Sequence, residues 1–473
     1  MIGLEVHAQL LTQSKLFCGD SAAFSAVPNT HISPITLAHP GTLPRMNTKA
    51  IEFAVKLGTA LNCHIEQQNY FARKNYFYPD LPKGYQVSQH TTPICKNGFV
   101  TIKTGETERN ILLNRIHIEE DAGKSIHDAN ENYTSIDLNR AGVPLLEIVS
   151  EPDLHSSEEA FAYITELRKL VRWLGICDGN MEEGSMRCDA NISVRLKGET
   201  KLGTRVEVKN LNSIRNVKRA IDLEINRLIG LVEEGKTIIQ ETRSFDADNG
   251  TSFSLRTKED ADDYRYFPEP DLTPFHITDE FLLNIKNNLP VLPAALQHKY
   301  ITDLHLSPYD AAVICDDREQ AVFFENIVAH TNNYKAAANW MMGPVKNYLN
   351  DNQLSIKEFT LSPENIAVLV RLVDEGKISF GVASSKLFTA LLNQPDKDPL
   401  QIATALNLLQ ENDSASIEGW VNAVISKMPE KVAEYKSGKK GLVGLFAGEV
   451  KKLSKGKADM QTVNKLLEQK LNT

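Results

Sequence analysis

The chain opens on a run in which apolar and polar residues alternate, Ile2-Gly-Leu-Glu-Val-His-Ala-Gln-Leu10, and a period of two predicts a half-buried strand over 2–10. The same pattern gives short strands at 99–103, 111–119, 135–138, 147–149, 191–195 and 205–208, divided by Gly, Pro, Asn and Asp turns. Two stretches, 47–62 and 157–175, instead place apolar residues at i, i+3, i+4 and i+7, the spacing of one helix face. Ser156 or Ser157, followed by glutamates, supplies the second with an N-terminal cap. Many strands and few helices predict an α+β fold, with a large mixed or antiparallel sheet forming a cradle. A continuous parallel sheet needs a helix for each crossover, and these are too few.

The pattern changes near residue 293. Phe267-Pro-Glu-Pro-Asp-Leu-Thr273 carries two prolines and closes the first region, after which helical periodicity takes over at 293–305, 317–330, 334–350, 362–376 and 380–392. A further stretch, 399–409, leads into three helical segments, 417–428, 441–453 and 462–471, joined by Ser, Gly and Lys. The expected organisation is a catalytic cradle domain over 1–292, an all-α helical body over 293–410 and a small helical tail domain over 411–473.

At 473 residues, 42% hydrophobic and 24% charged, the composition is that of a globular protein and excludes fibrous and disordered classes. No window has the apolar length of a membrane span, and the first residues lack the basic start and apolar core of a signal peptide. Six scattered cysteines without CxxC spacing read as free thiols of a reducing compartment, so a cytoplasmic protein is expected. The net charge of −9 argues against nucleic acid until it is divided along the chain. Residues 421–473 hold eleven lysines, no arginine and five acids, a charge of +6 that leaves −15 for residues 1–420. A basic tail on an acidic body suits salt-sensitive contacts to phosphates; the plainer reading is a solvated lysine-rich helical unit.

Among candidate chemical groups, Glu5 and His7 stand two apart on the first strand, so both project to one face. Glu119, Glu120 and Asp121 end the strand that begins at 111, and Glu147 lies in a segment too apolar to be an exposed face. Oxygen-rich sets with one histidine suit Mg²⁺ or Mn²⁺ together with a nucleotide phosphate. The alternative is that Glu5 and His7 are the solvent face of an edge strand and the acids at 119–121 cap a turn. Asp121-Ala-Gly-Lys124-Ser125 ends like a phosphate loop, but the first glycine of that motif falls at Ile118, leaving Lys124 only as a cation able to meet a phosphate. The segments 73–85 and 262–271 are dense in cations and aromatics and are broken by prolines, which marks them as loops. The segments 180–191, with Ser185 and Arg187, and 205–213, with Asn210, are rich in hydrogen-bonding side chains; they are either polar turns or a cradle for ribose, phosphate or a tRNA end.

At these residues the sequence closely resembles the family of B subunits of aspartyl/glutamyl-tRNA amidotransferases. The resemblance is carried by Ile2-Gly-Leu-Glu-Val-His7, Ser14-Lys-Leu-Phe17, His39-Pro-Gly-Thr-Leu-Pro44, Arg73 to Asp80, His117-Ile-Glu-Glu-Asp-Ala-Gly-Lys124, Asp137-Leu-Asn-Arg140, Glu147-Ile-Val-Ser-Glu-Pro-Asp153, Gly184-Ser-Met-Arg-Cys-Asp189 and Asp263-Tyr-Arg-Tyr-Phe-Pro-Glu-Pro-Asp271. It spans the first domain and continues, more weakly, to the end of the chain. The resemblance implies a ligase that uses ATP and Mg²⁺ to phosphorylate the side-chain carboxylate of Glu on tRNA(Gln) or Asp on tRNA(Asn). Ammonia from glutamine, released by an amidase (A) subunit and assisted by a small C subunit, then displaces the phosphate. Carried over by position, Glu5, His7, Glu120 and Glu147 look like metal ligands, with Glu119 beside them. Lys74 and Lys83 fall near the ammonia path and phosphate site, Lys124, Ser185, Arg187 and Asn210 are expected at the nucleotide, and the lysine-rich tail is expected on tRNA. The chain itself contains no Gly-rich Ser-Ser-Lys amidase arrangement and no cysteine in a glutaminase-like context, which agrees with a need for a partner.

Two departures qualify the resemblance. Many relatives carry a Cys-x-Cys and Cys-x-x-Cys zinc set after the Lys-Leu-Phe segment, whereas only Cys18 stands here, with Asp20, His31 and Pro34 nearby, so no structural zinc is expected. Met1 directly precedes the first strand, where relatives usually have a few more residues, so the start is expected to be short or internal. No synthetase-like insertion follows Asp271, which favours the bacterial heterotrimeric type over the archaeal glutamyl-specific form. The rival readings are a tRNA-binding scaffold whose carboxylates are only structural, and a stand-alone metal-dependent phosphotransferase or hydrolase.

Overall fold

Leu4, Val6 and Ala8 are fully buried while Glu5, His7 and Gln9 turn to the other side, as a period of two requires. Their strand is the centre of the first of two compact units, Met1–Leu292 and Pro293–Thr473. The computed structural model describes residues 1–24, 27–126, 133–257, 264–410, 414–454 and 457–472, so that Asp262, Asp263 and Lys455 of the sequence analysis lie outside the described residues.

The main sheet has ten strands. In chain order its longer members are β1 (Ile2–Gln9), β2 (Phe99–Thr104), β3 (Thr107–Glu120), β4 (Pro144–Ser150), β5 (Met186–Ile192), β6 (Val206–Lys209), β7 (Glu241–Asp246) and β8 (Thr251–Thr257). Their spatial order is β8-β7-β6-β5-β1-β4-β3, followed by the short strands Cys95–Lys96 and His64–Ile65, with β2 paired to β3. All pairs are antiparallel except β6 with β7, which makes the sheet mixed and the unit α+β. One face is apolar: Leu4, Val6, Ile116, Ile118, Leu146, Ile148, Ala190 and Val208 join Phe53 and Leu57 of α1 (Thr48–Ala60) and Tyr163, Ile164 and Leu167 of α2 (Ser157–Trp173) in one core. Each such Leu, Ile or Val, buried from water, contributes about 1.5–3 kcal/mol. Asn47 and Ser156 accept the N–H groups of Lys49 and Glu159 and so start these helices, which settles Ser156 as the cap of α2.

Four elements of this unit depart from the sequence reading. The strand expected at 191–195 is β5, Met186–Ile192, where Met186, Cys188, Ala190 and Ile192 alternate with Arg187, Asp189 and Asn191; the charged half of that alternation reads as turn chemistry until its partners are known. A twenty-residue helix, α3 (Ile214–Glu233), fills a stretch given no element, burying Val217, Ala220, Ile221 and Leu228. β7 and β8 follow it, their Ser, Thr and Arg content masking the strand signal.

The second unit is helical among its described residues. The helix expected at 334–350 is Tyr334–Trp340 and Lys346–Asn352 joined by a π-helical turn, Met341–Val345, that accommodates Pro344. The last stretch holds four α-helices among the described residues, not three: Ser414–Lys427, Pro429–Lys436, Val443–Leu453 and Met460–Asn472. Pro429 opens a helix at a position where its missing N–H is not needed. Ile417, Val421, Phe446, Val450, Val463 and Leu467 form their own apolar cluster. No described helix is long and apolar enough to cross a membrane.

Candidate functional site

The face of the sheet opposite the core is charged, and register alone assembles it. Arg187 on β5 stands across from His7 on β1, His7 across from Glu147 on β4, and Glu147 across from His117 on β3. Glu119 follows His117 on the same face. His7 Nε2 lies 3.4 Å from Glu147 Oε2 and 3.8 Å from Glu119 Oε1, and His117 Nε2 lies 3.3 and 3.4 Å from the carboxylates of Glu119 and Glu147. Ligating atoms of His7, Glu119 and Glu147 all fall within 4.8 Å of one another, the one such His/Cys/Asp/Glu group among the described residues.

The electrostatics of this group follow from burial and crowding. Burial opposes protonation of His7 and His117, but Glu147 and Glu119 outweigh it and lift both imidazoles, His117 to about 9. Burial likewise opposes ionisation of Glu147, yet His117 and His7 hold its carboxyl well below the usual range. Glu5 goes the other way: burial and the carboxylates of Glu147, Asp189 and Glu207 push it up, while Asn191 Nδ2 donates to it at 2.9 Å. His117 Nδ1 is buried and has no hydrogen-bond partner.

Cations ring the face. Arg187 donates to Asp121 Oδ2 at 3.0 Å and Lys209 to Asp189 at 2.5 Å. Lys74 lies on the strand Ala72–Asn75; burial disfavours its charge, but Glu119, Tyr266 and Glu147 together raise its pKa. This strand pairs with Tyr85–Ser88 and with Phe267–Pro268, so the two aromatic segments of the sequence, 73–85 and 262–271, are joined in one small sheet over their described residues. Arg73 clamps them, donating to Glu269 Oε2 and Oε1 at 2.7 and 2.8 Å and to Asp271 at 3.1 Å.

The other expected site residues sit as follows. Glu120 is not part of the three-residue group, because neighbours on a strand face opposite ways; its carboxylate accepts from Lys83 and from Val87 N, and its carbonyl accepts from Gln86. Glu5 is two residues from His7 on the same face but turned to Asn191. Ser185 Oγ donates to Asp178, Asn210 Nδ2 donates to Ser244 Oγ, and Lys124 is exposed in a hairpin opposite Asp137. Cys18 and Asp20 meet at Thr36, whereas the His31 ring turns to the carbonyl of Ala23. Sequence reasoning missed His117, Asp189 and Lys209. The signal for His117 was available in Arg115, His117 and Glu119 alternating with Ile116 and Ile118.

Residues 1–283 match the family model of the GatB/GatE catalytic domain, and residues 322–471 match that of the GatB domain. The chain is 50% identical over 471 residues to the B subunit of the aspartyl/glutamyl-tRNA(Asn/Gln) amidotransferase of Pelodictyon phaeoclathratiforme, an alignment covering 100% of this chain and 98% of that protein. It is 48% identical over 472 residues to the protein of the same name from Chlorobium phaeobacteroides, with 100% and 99% covered. It is 46% identical over 471 residues to that from Syntrophotalea carbinolica, with 100% and 98% covered.

Proposed function

The chain belongs to the GatB family of tRNA-dependent amidotransferase B subunits, and from that premise we propose that its acidic sheet face activates the side-chain carboxylate of Glu-tRNA(Gln), of Asp-tRNA(Asn), or of both. The observation that carries this reading is the convergence of His7, Glu119 and Glu147 on one patch. Two carboxylates and an imidazole gathered on one patch form a donor set that a hard divalent cation fits. His7, Glu119 and Glu147 would hold Mg²⁺, with Glu5 next on the strand. When bound, Mg²⁺ offsets the charge of the phosphoryl group in transfer.

The chain's own residues do the rest by position and charge. A carboxylate is a poor electrophile, so one of its oxygens first takes the γ-phosphoryl of ATP, releasing ADP. Ammonia then attacks the acyl carbon and phosphate leaves. Lys74 and Arg187 supply fixed positive charge beside the acids, where transferring phosphoryl oxygens concentrate negative charge. Arg187 is the nucleotide-side residue this face supports best, with Ser185 two residues before it on the same segment; Lys124 and Asn210 are assigned to more distant contacts. Glu120 and Lys83 act as positioning residues: their pairing and the Val87 and Gln86 bonds clamp the strand Tyr85–Ser88 onto the end of β3 and so fix Glu119. We assign ammonia supply to an amidase subunit acting on glutamine and assembly to a small third subunit, in a cytoplasmic complex.

The test is conversion of Glu-tRNA(Gln) to Gln-tRNA(Gln) by the chain co-expressed with amidase and small subunits, with ATP, Mg²⁺ and either glutamine or ammonium. The expected result is ATP-dependent conversion with both donors. Absence of conversion with every partner set would favour a tRNA-binding scaffold.

We assign the last helical stretch, 411–473, to tRNA phosphates, on the strength of its lysines. Lys436 and Lys451 are exposed. Replacing both with Gln is expected to flatten the dependence of log affinity on log salt by about one unit per lysine that meets a phosphate. Filter binding across a salt series measures this, and an unchanged slope would remove these lysines from the interface.

A further inference from the structure

A line of aromatic rings runs from the acidic face to an exposed histidine. Lys74 Nζ lies 4.8 Å from the ring centre of Tyr264 and 5.7 Å from that of Tyr76. Tyr264 meets Tyr266 at 6.1 Å, nearly edge-on, and Tyr266 lies flat against His90, with centroids 3.9 Å apart and planes inclined by 6°. His90 is exposed, in the loop that follows the strand Tyr85–Ser88. The inner end of the line is tied to the acids: burial lifts the Tyr266 hydroxyl, Lys74 opposes, and Glu119 and Glu147 add to the rise.

The backbone holds this arrangement at a conformational cost. Arg265, between the two tyrosines, has φ +43°, a region that side chains other than glycine seldom occupy. Asn75 keeps it there, its N–H donating to the Tyr264 carbonyl at 2.9 Å and its Nδ2 to the Arg265 carbonyl at 2.9 Å. Strain so anchored fixes one tyrosine at Lys74 and the other under His90. A core would place such rings inside; here the flattest contact ends on an exposed ring.

A flat exposed ring leading to a cation and a phosphoryl-transfer patch matches the two ends of an adenine nucleotide, because bases stack on aromatic rings and their phosphates or esters carry the reacting group. We propose that His90 and Tyr266 form a stacking platform for an adenine ring, either of the terminal adenosine of the aminoacyl-tRNA or of ATP, and set its distance from the acidic face. The proposal rests on the amidotransferase reading above. The line is short, and an aminoacyl side chain reaches only a few bonds beyond its ribose, so the tRNA adenosine is the expected occupant.

The experiment compares wild type, His90→Ala and His90→Phe in the full complex, with ammonium as nitrogen donor, measuring kcat and KM separately for Glu-tRNA(Gln) and ATP. His90→Ala is expected to raise KM for the tRNA on the order of tenfold, with kcat and KM for ATP unchanged and with His90→Phe restoring the wild-type value. A rise confined to KM for ATP, again restored by Phe, keeps the platform and assigns it to the nucleotide. Unchanged KM values for both substrates, or equal losses in the Ala and Phe variants, overturn it. An active wild type with unaffected variants refutes the platform alone, whereas an inactive wild type refutes the amidotransferase reading itself.

Discussion

A Glu147→Gln enzyme is expected to form Gln-tRNA(Gln) about 10²–10³-fold more slowly than wild type, and equally so with glutamine or ammonium. Equal loss with both donors follows because ammonium bypasses the amidase and leaves only activation and transfer. The substitution keeps the shape of the side chain and removes the charge that His7 and His117 both face. The cation proposed for His7, Glu119 and Glu147 then loses one of its two anionic ligands, and Glu119→Gln is expected to match the effect. KM for the tRNA should stay near its wild-type value, since remote contacts bind it. The measurement is single-turnover amidation with saturating ATP, alongside a melting curve to establish folding. Full activity of Glu147→Gln would end the assignment. A Glu120→Gln enzyme as inactive as Glu147→Gln, with its fold intact, would move the metal to the other side of β3.

Arg73→Met is expected to destabilise the first unit by about 3–5 kcal/mol, seen as a melting transition lower by roughly 10 °C. The Glu269 carboxylate is 1% exposed and receives both arms of the guanidinium, so removing the arginine strands a buried anion. Arg73 also lies over the rings of Tyr85 and Phe267, 4.2 and 5.7 Å from their centres, and these contacts go with it. Arg73→Lys should recover only part of the loss, because an ammonium cannot make the paired bonds of a guanidinium. An unchanged transition in Arg73→Met would show that Glu269 finds another partner. The effect should reach function, since the same clamp holds Phe267–Pro268 beside the strand bearing Lys74.

How much of this was legible in the sequence depended on what each residue's signal refers to. The period of two in Ile2–Gln9 states its own burial and could be read directly, as could the caps and apolar stripes of α1 and α2. Which strands flank β1 is a long-range fact that no local pattern contains, so His7 and Glu147 could be named as candidates from residue type and family resemblance but not shown to be neighbours. The choice between Glu119 and Glu120 turned on strand parity, readable only once β3 is known to continue to Glu120. Met186–Ile192 was hidden because the polar half of its alternation serves the charged face; a strand that builds such a site looks like a loop. α3 was passed over although its apolar spacing is regular, and its fully buried Glu224, paired with Arg227 and Arg243, is a polar residue in a core position that sequence patterns misplace.

The central place of β1 also bears on how the chain reaches its native state. The Leu4 N–H donates to the hydroxyl of Ser150, 146 residues away, and Glu5 accepts from Asn191, 186 residues away. During synthesis this strand therefore leaves the ribosome with both edges unsatisfied and waits until nearly two hundred residues have followed. Pairings of such high contact order fold slowly and expose an apolar strand meanwhile. Assembly of the charged face is consequently a late event in folding, and the nascent first unit is the stage at which a chaperone has most to protect.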